Sequence, residues 1–265
     1  MKLPLKDWLS AIDPLKKWYN RSLLCDLTKL VFDDKNKIIM DWSCKCGCSI
    51  AVGMMFKHLG LLDEVMKKNK RIHAYRRLTY TPHHRVNRTT LCNKDNYLFK
   101  VVRNPYTRAV SSYLHVCGRP KLNLLAQKNP DSYKTLSFRQ FIILLEGMNV
   151  KHDIDPHCRV QTKNYERRNL RQPVICKLES FAQDIEKINT ECNVNFSLEG
   201  VTAHHHAKKD VEKKTLCVDH SFENFDGAYP NYNYFYDQVV FEKVTQLYKE
   251  DIERYEYDFP WEEIT

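Results

Sequence analysis

The amino-acid sequence predicts an α/β fold: a central, mostly parallel sheet flanked by helices. Strand-like runs recur at 37–42 (KIIMDW), 97–102 (YLFKVV) and 173–178 (PVICKL), and each leads into a helical segment. Alternation of this kind favours parallel pairing, because a helix carries the chain back before the next strand begins. The 265 residues, 43% apolar and 12% aromatic, suffice for a sizeable core and exclude wholesale disorder. With no repeat, low-complexity tract or Pro/Gly/Ser-rich linker, a single domain over 1–265 is expected.

The first twenty residues, MKLPLKDWLSAIDPLKKWYN, are broken by charge every few positions, and no apolar run approaches the roughly 18–20 residues of a membrane span. The expectation is a soluble, cytoplasmic protein, or a lumenal one if the chain is a trimmed domain. After the first strand, SCKCG reads as a loop, and SIAVGMMFKHLG reads as a helix from Ser49 that stops at Gly60. The second strand delivers Arg103 to a new helix, with Asn104 suited to N-cap it and Pro105 at its first position. Residues 136–148 read as an amphipathic helix, and ESFAQDIEKINTEC as the helix after the third strand. The aromatic-rich 222–236 stretch reads as a packed arm, with an adenine platform as the less favoured use. The last helix is predicted from Tyr236 to Tyr255, with Phe241, Val244, Tyr248, Ile252 and Tyr255 on one stripe.

Cys44, Cys46 and Cys48 form C-x-C-x-C and the other seven cysteines are scattered, without the paired knuckles of a zinc site. Reduced thiols are expected, a redox or metal role for the 44–48 cluster being the alternative. Lys and Arg total 42 against 33 Asp and Glu, a net +9, concentrated in two basic loops, Lys67 to Arg88 and Lys163 to Arg171. Excess cation attracts polyanions of any kind. Nucleic acid is nevertheless disfavoured, because no C2H2, RRM or basic-zipper pattern accompanies the charge. An anionic ligand remains.

Both strand-to-helix loops suit an anion, since helix starts present free N–H groups and the positive end of the dipole. Lys45, Cys46, Gly47, Cys48 and Ser49 occupy the first, but G-x-x-x-x-G-K-[ST] is not satisfied, which excludes an ordinary Walker triphosphatase. In this order Lys45 reaches over a phosphate that Ser49 and the loop N–H groups hold. Arg103 and Ser111 are eight apart, with Arg108 between, so a phosphate held by both lies along the second helix start.

The pair K-x-G-x-S and R-N-P-x-x-R-x-x-S-x-Y resembles the sulfotransferases that use 3′-phosphoadenosine 5′-phosphosulfate (PAPS), with their P-loop-like sulfotransferase fold. Asp155, His157 and Gln161 in DPHCRVQ are similar to the D-x-H-x-x-x-Q signature of the carbohydrate-type branch. Lys177 and Glu179 in ICKLESFAQDI are similar to its K-x-E-x-x-x-x-D element, and Tyr248, Asp251 and Tyr257 in LYKEDIERYEYDF to its closing motif. Together the matches cover 38–259 in order. Cys44 stands where the family usually has proline, and Ser49 where threonine is common.

The resemblance implies metal-free, in-line transfer of a sulfuryl group from PAPS to a hydroxyl, with a carbohydrate as the favoured acceptor and the 3′,5′-bisphosphate as product. It places the 5′-phosphosulfate on Lys45, Cys46, Gly47, Cys48 and Ser49, and the 3′-phosphate on Arg103 and Ser111. Lys45 would stabilise charge growing on the bridging oxygen. The general base is expected at His83, then His84, with His73 a weaker choice and a carboxylate also possible by family precedent; two surface histidines in a basic loop are the bland reading. His157 and Gln161 are expected at the acceptor, or in helix packing. His204, His205 and His206 read as a solvent or acceptor-side loop rather than a metal site, and Lys177 with Glu179 as a structural ion pair. The competing function is a catalytically inactive sulfotransferase-like binder of an anionic glycan or nucleic acid; a kinase-type transferase is disfavoured by the missing P-loop order. Oligomeric state has no signature in the sequence.

Overall fold

The computed structural model describes residues 26–68, 72–119, 130–151, 154–201, 208–209, 215–225 and 227–262. In chain order come β1 (Val31–Asp33), β2 (Ile38–Trp42), α1 (Cys48–His58), α2 (Leu62–Lys68), α3 (Ile72–Tyr75) with a π-helical turn (Arg76–Tyr80), α4 (Arg88–Cys92), β3 (Tyr97–Val102) and α5 (Pro105–Gly118). They are followed by α6 (Pro130–Lys134), α7 (Phe138–Glu146), α8 (Asn164–Arg167), β4 (Val174–Lys177), α9 (Phe181–Cys192), β5 (Lys208–Lys209), β6 (Ala228–Tyr229), α10 (Gln238–Leu247) and α11 (Lys249–Tyr255).

The main sheet has the order β1-β2-β3-β4, with β2, β3 and β4 parallel and β1 antiparallel on the edge. The α/β expectation holds, and the three foreseen strands fall within a residue of their bounds at either end. β1 was not foreseen. It is three residues long, and it pairs through a tight turn in which the Asp33 carboxylate accepts the N–H groups of Lys35 and Asn36.

Alternation along the strands sends side chains to two different faces. Ile38, Met40, Trp42, Phe99, Val101 and Cys176 share a core with α1 and α9 residues such as Val52, Phe56, Phe181 and Ile185. The opposite face carries Ile39 and Leu98 but also Asp41 and Lys100, both fully buried. Lys100 Nζ donates to Glu166, to Tyr255 Oη at 3.0 Å and to the Gln161 carbonyl at 2.8 Å, and Tyr165 Oη donates to Asp41 at 2.7 Å. Such charges are tolerated in a core only when paired and hydrogen-bonded.

A second core joins α5, α7 and α10 with the aromatic stretch, whose Phe225, Tyr229, Phe235 and Tyr236 are buried in it. Here α7 starts on a capping box of Ser137 and Gln140. The predicted 236–255 helix is broken at Tyr248, which leaves helical geometry at φ −111°, ψ 22°. The break lets two neighbours serve one segment: Tyr248 Oη donates to the Cys158 carbonyl at 2.9 Å, while buried Asp251 accepts the N–H groups of Gln161 and Thr162. The stretch from 67 to 88, expected as a basic loop, is partly helical, in α3 and its π turn.

Candidate functional site

β2 ends at Trp42 and the chain turns through 43–47 into α1. Lys45 (φ 70°) and Gly47 (φ 69°) both take the left-handed conformation, which curls the backbone around Cys46. Glycine is favoured at 47, because it takes this backbone without strain and because a Cβ there would sit 2.6 Å from Leu178 Cδ1 unless that side chain shifted. The eleven-residue α1 then points its positive end at this loop. Half-buried Lys45 has its pKa lowered to about 8, chiefly by burial, with Arg103 and Arg119 adding and Cys48 and Cys44 opposing. Burial likewise pushes Cys48 up to about 11 and Cys46 up to about 12, so both sulfurs are protonated thiols at neutral pH.

β3 delivers Arg103 beside this loop. Its guanidinium donates to the Lys45 carbonyl at 3.1 Å and to Thr107 Oγ1 at 3.0 Å, and stands 5.8 Å from the centroid of the Tyr232 ring. Asn104 caps α5 as expected, accepting the Tyr106 N–H at 3.0 Å, with Pro105 next in line. Ser111 lies two turns along α5, nearly buried, and its hydroxyl makes no hydrogen bond within the described residues. Arg108, also buried, donates to the carbonyls of Cys44 (3.0 Å) and Arg159 (2.6 Å), tying the first loop to the 155–161 segment.

Gln161, expected at the acceptor, is instead fully buried between the two loops. Its Oε1 accepts the Cys46 thiol at 2.8 Å and the Arg103 N–H at 2.9 Å, and its Nε2 donates to the Arg103 carbonyl at 2.8 Å. With its amide engaged on both sides, it positions the loops and offers no face to an acceptor. Lys177 and Glu179 are also reassigned. Lys177 donates to the Glu256 carbonyl, whereas Glu179 lies past the strand end and accepts the Asn104 N–H at 2.8 Å and Tyr257 Oη at 3.0 Å.

Three histidines converge on the first loop. Nε2 of His73 lies 3.1 Å from Ser49 Oγ, and its pKa falls to about 4, first through burial and then through Arg76 and His157. Trp42 lies beneath, its ring 6.4 Å from His73 and 5.1 Å from the Arg76 guanidinium. His115 follows Ser111 by one turn of α5; burial lowers its pKa to about 3, helped by the charges of His157, Lys45 and Arg119. The ring of His157 lies 4.2 Å from that of His115, and its Nδ1 is 2.6 Å from Asp155 Oδ1.

His83 and His84 are placed differently. His83 is exposed, and His84 stacks at 4.3 Å on Tyr80, whose hydroxyl donates to Phe32 on β1, toward the start of β2 rather than its loop end. His204, His205 and His206 lie outside the described residues. Among the described residues no group of three His, Cys, Asp or Glu could hold a metal ion, and no helix is long and apolar enough to cross a membrane. Sequence reasoning missed His115, although helical spacing from Ser111 marks it as sharing that residue's face.

The geometry places two loops joined by Gln161 and by the Arg103 to Lys45 contact, each at the C-terminal end of a parallel strand and the start of a helix. Residues 28–258 match the model of the sulfotransferase family, and the chain belongs to that family. No curated protein and no solved structure matches the chain.

Proposed function

We propose that the protein transfers a sulfuryl group from PAPS to a hydroxyl, with a saccharide as acceptor. The observation that carries this reading is the coupling of two cationic loops, Lys45 and Ser49 on one and Arg103 with Ser111, unengaged among the described residues, on the other, joined by the Arg103 to Lys45 contact and by Gln161. One loop suits a 5′-phosphosulfate and the other a 3′-phosphate, so a donor carrying both fits better than a simple nucleotide. Lys45 would face the bridging oxygen, where negative charge grows as the sulfur–oxygen bond breaks, and would favour the transition state over the ground state. The chain's own groups suffice for this, and no metal is invoked. A saccharide is favoured by the likeness of 155–161 to the carbohydrate-type signature and by exposed Arg77, Arg85 and Arg88, which suit an acidic glycan.

The test is a melting-temperature comparison, since a ligand bound only by the folded state raises Tm. The 3′,5′-bisphosphate is expected to raise Tm clearly and 5′-AMP much less. Equal shifts would remove the roles given to Arg103 and Ser111.

A further inference from the structure

Resting on that reading, we infer that His157, held by Asp155, is the general base that takes the proton from the acceptor hydroxyl, in place of His83 and His84. A carboxylate at neutral pH only accepts, so the 2.6 Å contact to Asp155 Oδ1 assigns the proton of a neutral imidazole to Nδ1 and leaves Nε2 with its lone pair. The backbone is fixed as firmly as the ring. The His157 N–H donates to the same Asp155 oxygen at 2.9 Å, and its carbonyl accepts Ser112 Oγ at 2.6 Å from α5. The base is thus tied, through its carbonyl, to the helix that carries Ser111, one contact from His115 and within the field of the histidine that touches Ser49.

Burial keeps the two neighbours neutral: His73 and His115 titrate near 4 and 3, so neither places a full positive charge beside His157 at neutral pH. The His157 side chain keeps 27% of its surface exposed while Asp155 keeps 2%, the arrangement of a group that meets substrate and a group that orients it. In the step, the acceptor O–H bond breaks and its proton passes to Nε2. The oxygen lone pair forms the new bond to sulfur. The bond from sulfur to the bridging oxygen breaks, and its electron pair stays on the departing bisphosphate, opposite Lys45. The imidazolium then returns its proton to solvent. Asp155 is a positioning residue, acting through His157.

The experiment is turnover of labelled PAPS with a hydroxyl acceptor by His157→Gln, Asp155→Asn and the double variant, each checked for the bisphosphate-induced rise in Tm. Loss of a general base lowers kcat by about 10²–10⁴-fold. His157→Gln is expected to show that loss with the Tm rise intact. Asp155→Asn is expected to lower kcat by about tenfold with KM for the donor unchanged, and the double variant to be no slower than His157→Gln, the non-additivity expected of groups acting as one unit. Full activity in His157→Gln, or a loss confined to His83→Ala, would overturn the assignment. A wild-type protein without a bisphosphate-induced rise would instead count against the proposed function, which separates the two failures.

Discussion

Replacing Gln161 by leucine tests how the two strand-to-helix loops are held together. The side chains are similar in size, so the substitution leaves little cavity and removes mainly hydrogen bonds. Three are lost: one from the Cys46 thiol, one from the Arg103 N–H and one to the Arg103 carbonyl. A buried polar group left without a partner costs about 1–3 kcal/mol, and the thiol, a weak donor, costs less. Two stranded backbone groups in a partly buried site then amount to about 3 kcal/mol, a large part of the roughly 5–15 kcal/mol that holds a domain together. At about 2–4 °C per kcal/mol for a chain of this size, Tm should fall by about 6–12 °C. Calorimetry gives that number, and titration with the 3′,5′-bisphosphate should show affinity about tenfold weaker, because Arg103 and the Lys45 loop lose their common anchor. Gln161→Glu should also fail, since it sets a carboxylate oxygen against the Arg103 carbonyl. A Tm within 2 °C of wild type, together with unchanged affinity, would refute the reasoning.

Three further outcomes follow from the loops and the histidines. Gly47→Ala should cost about 1–2 kcal/mol through its left-handed backbone alone, more once Leu178 must move, and should abolish the bisphosphate-induced rise in Tm. Because burial sets the Lys45 pKa to about 8 and a bound phosphate favours the ammonium, bisphosphate affinity should decline as pH rises above 8. Calorimetry in buffers of different ionisation enthalpy should then record proton uptake on binding. His73 and His115 take protons in the unfolded chain near 6.5 but in the folded one only near 4 and 3. The unfolded state therefore binds more protons between these limits, and stability should fall as pH drops from 6.5 toward 4. His115→Asn should flatten that slope in urea titrations at several pH values.

What the sequence disclosed follows from the range of the interactions involved. The runs KIIMDW and YLFKVV announce central strands because central parallel strands are buried on both faces and read as continuous apolar segments, whereas PVICKL, on the sheet edge with Val174 exposed, is legible from its β-branched, apolar composition. The Asn104–Pro105 helix start is equally local, needing only its own side chain and ring. By contrast, β1 is three residues stabilised by its neighbour, and the break at Tyr248 serves partners about ninety residues away. Side-chain roles at the site divide the same way. Lys45, Gly47 and Arg103 stand in short motifs whose backbone conformation dictates their position. Gln161 and His157 share one motif, yet one faces inward to the loops and the other toward the histidine cluster, which spacing alone does not separate. The expectation at His83 and His84 rests on a resemblance in their place between the two loops, and a helical turn at 72–80 brings His73, not them, to Ser49.

The central claim is tested most directly by incubating the protein with sulfur-labelled PAPS and a panel of saccharides, alongside Lys45→Ala. The account predicts label transferred to a hydroxyl with stoichiometric release of the 3′,5′-bisphosphate, and a loss of about 10²-fold or more in the variant, which lacks the cation facing the bridging oxygen. Tight bisphosphate binding with no transfer to any hydroxyl, or transfer undiminished in Lys45→Ala, would contradict it.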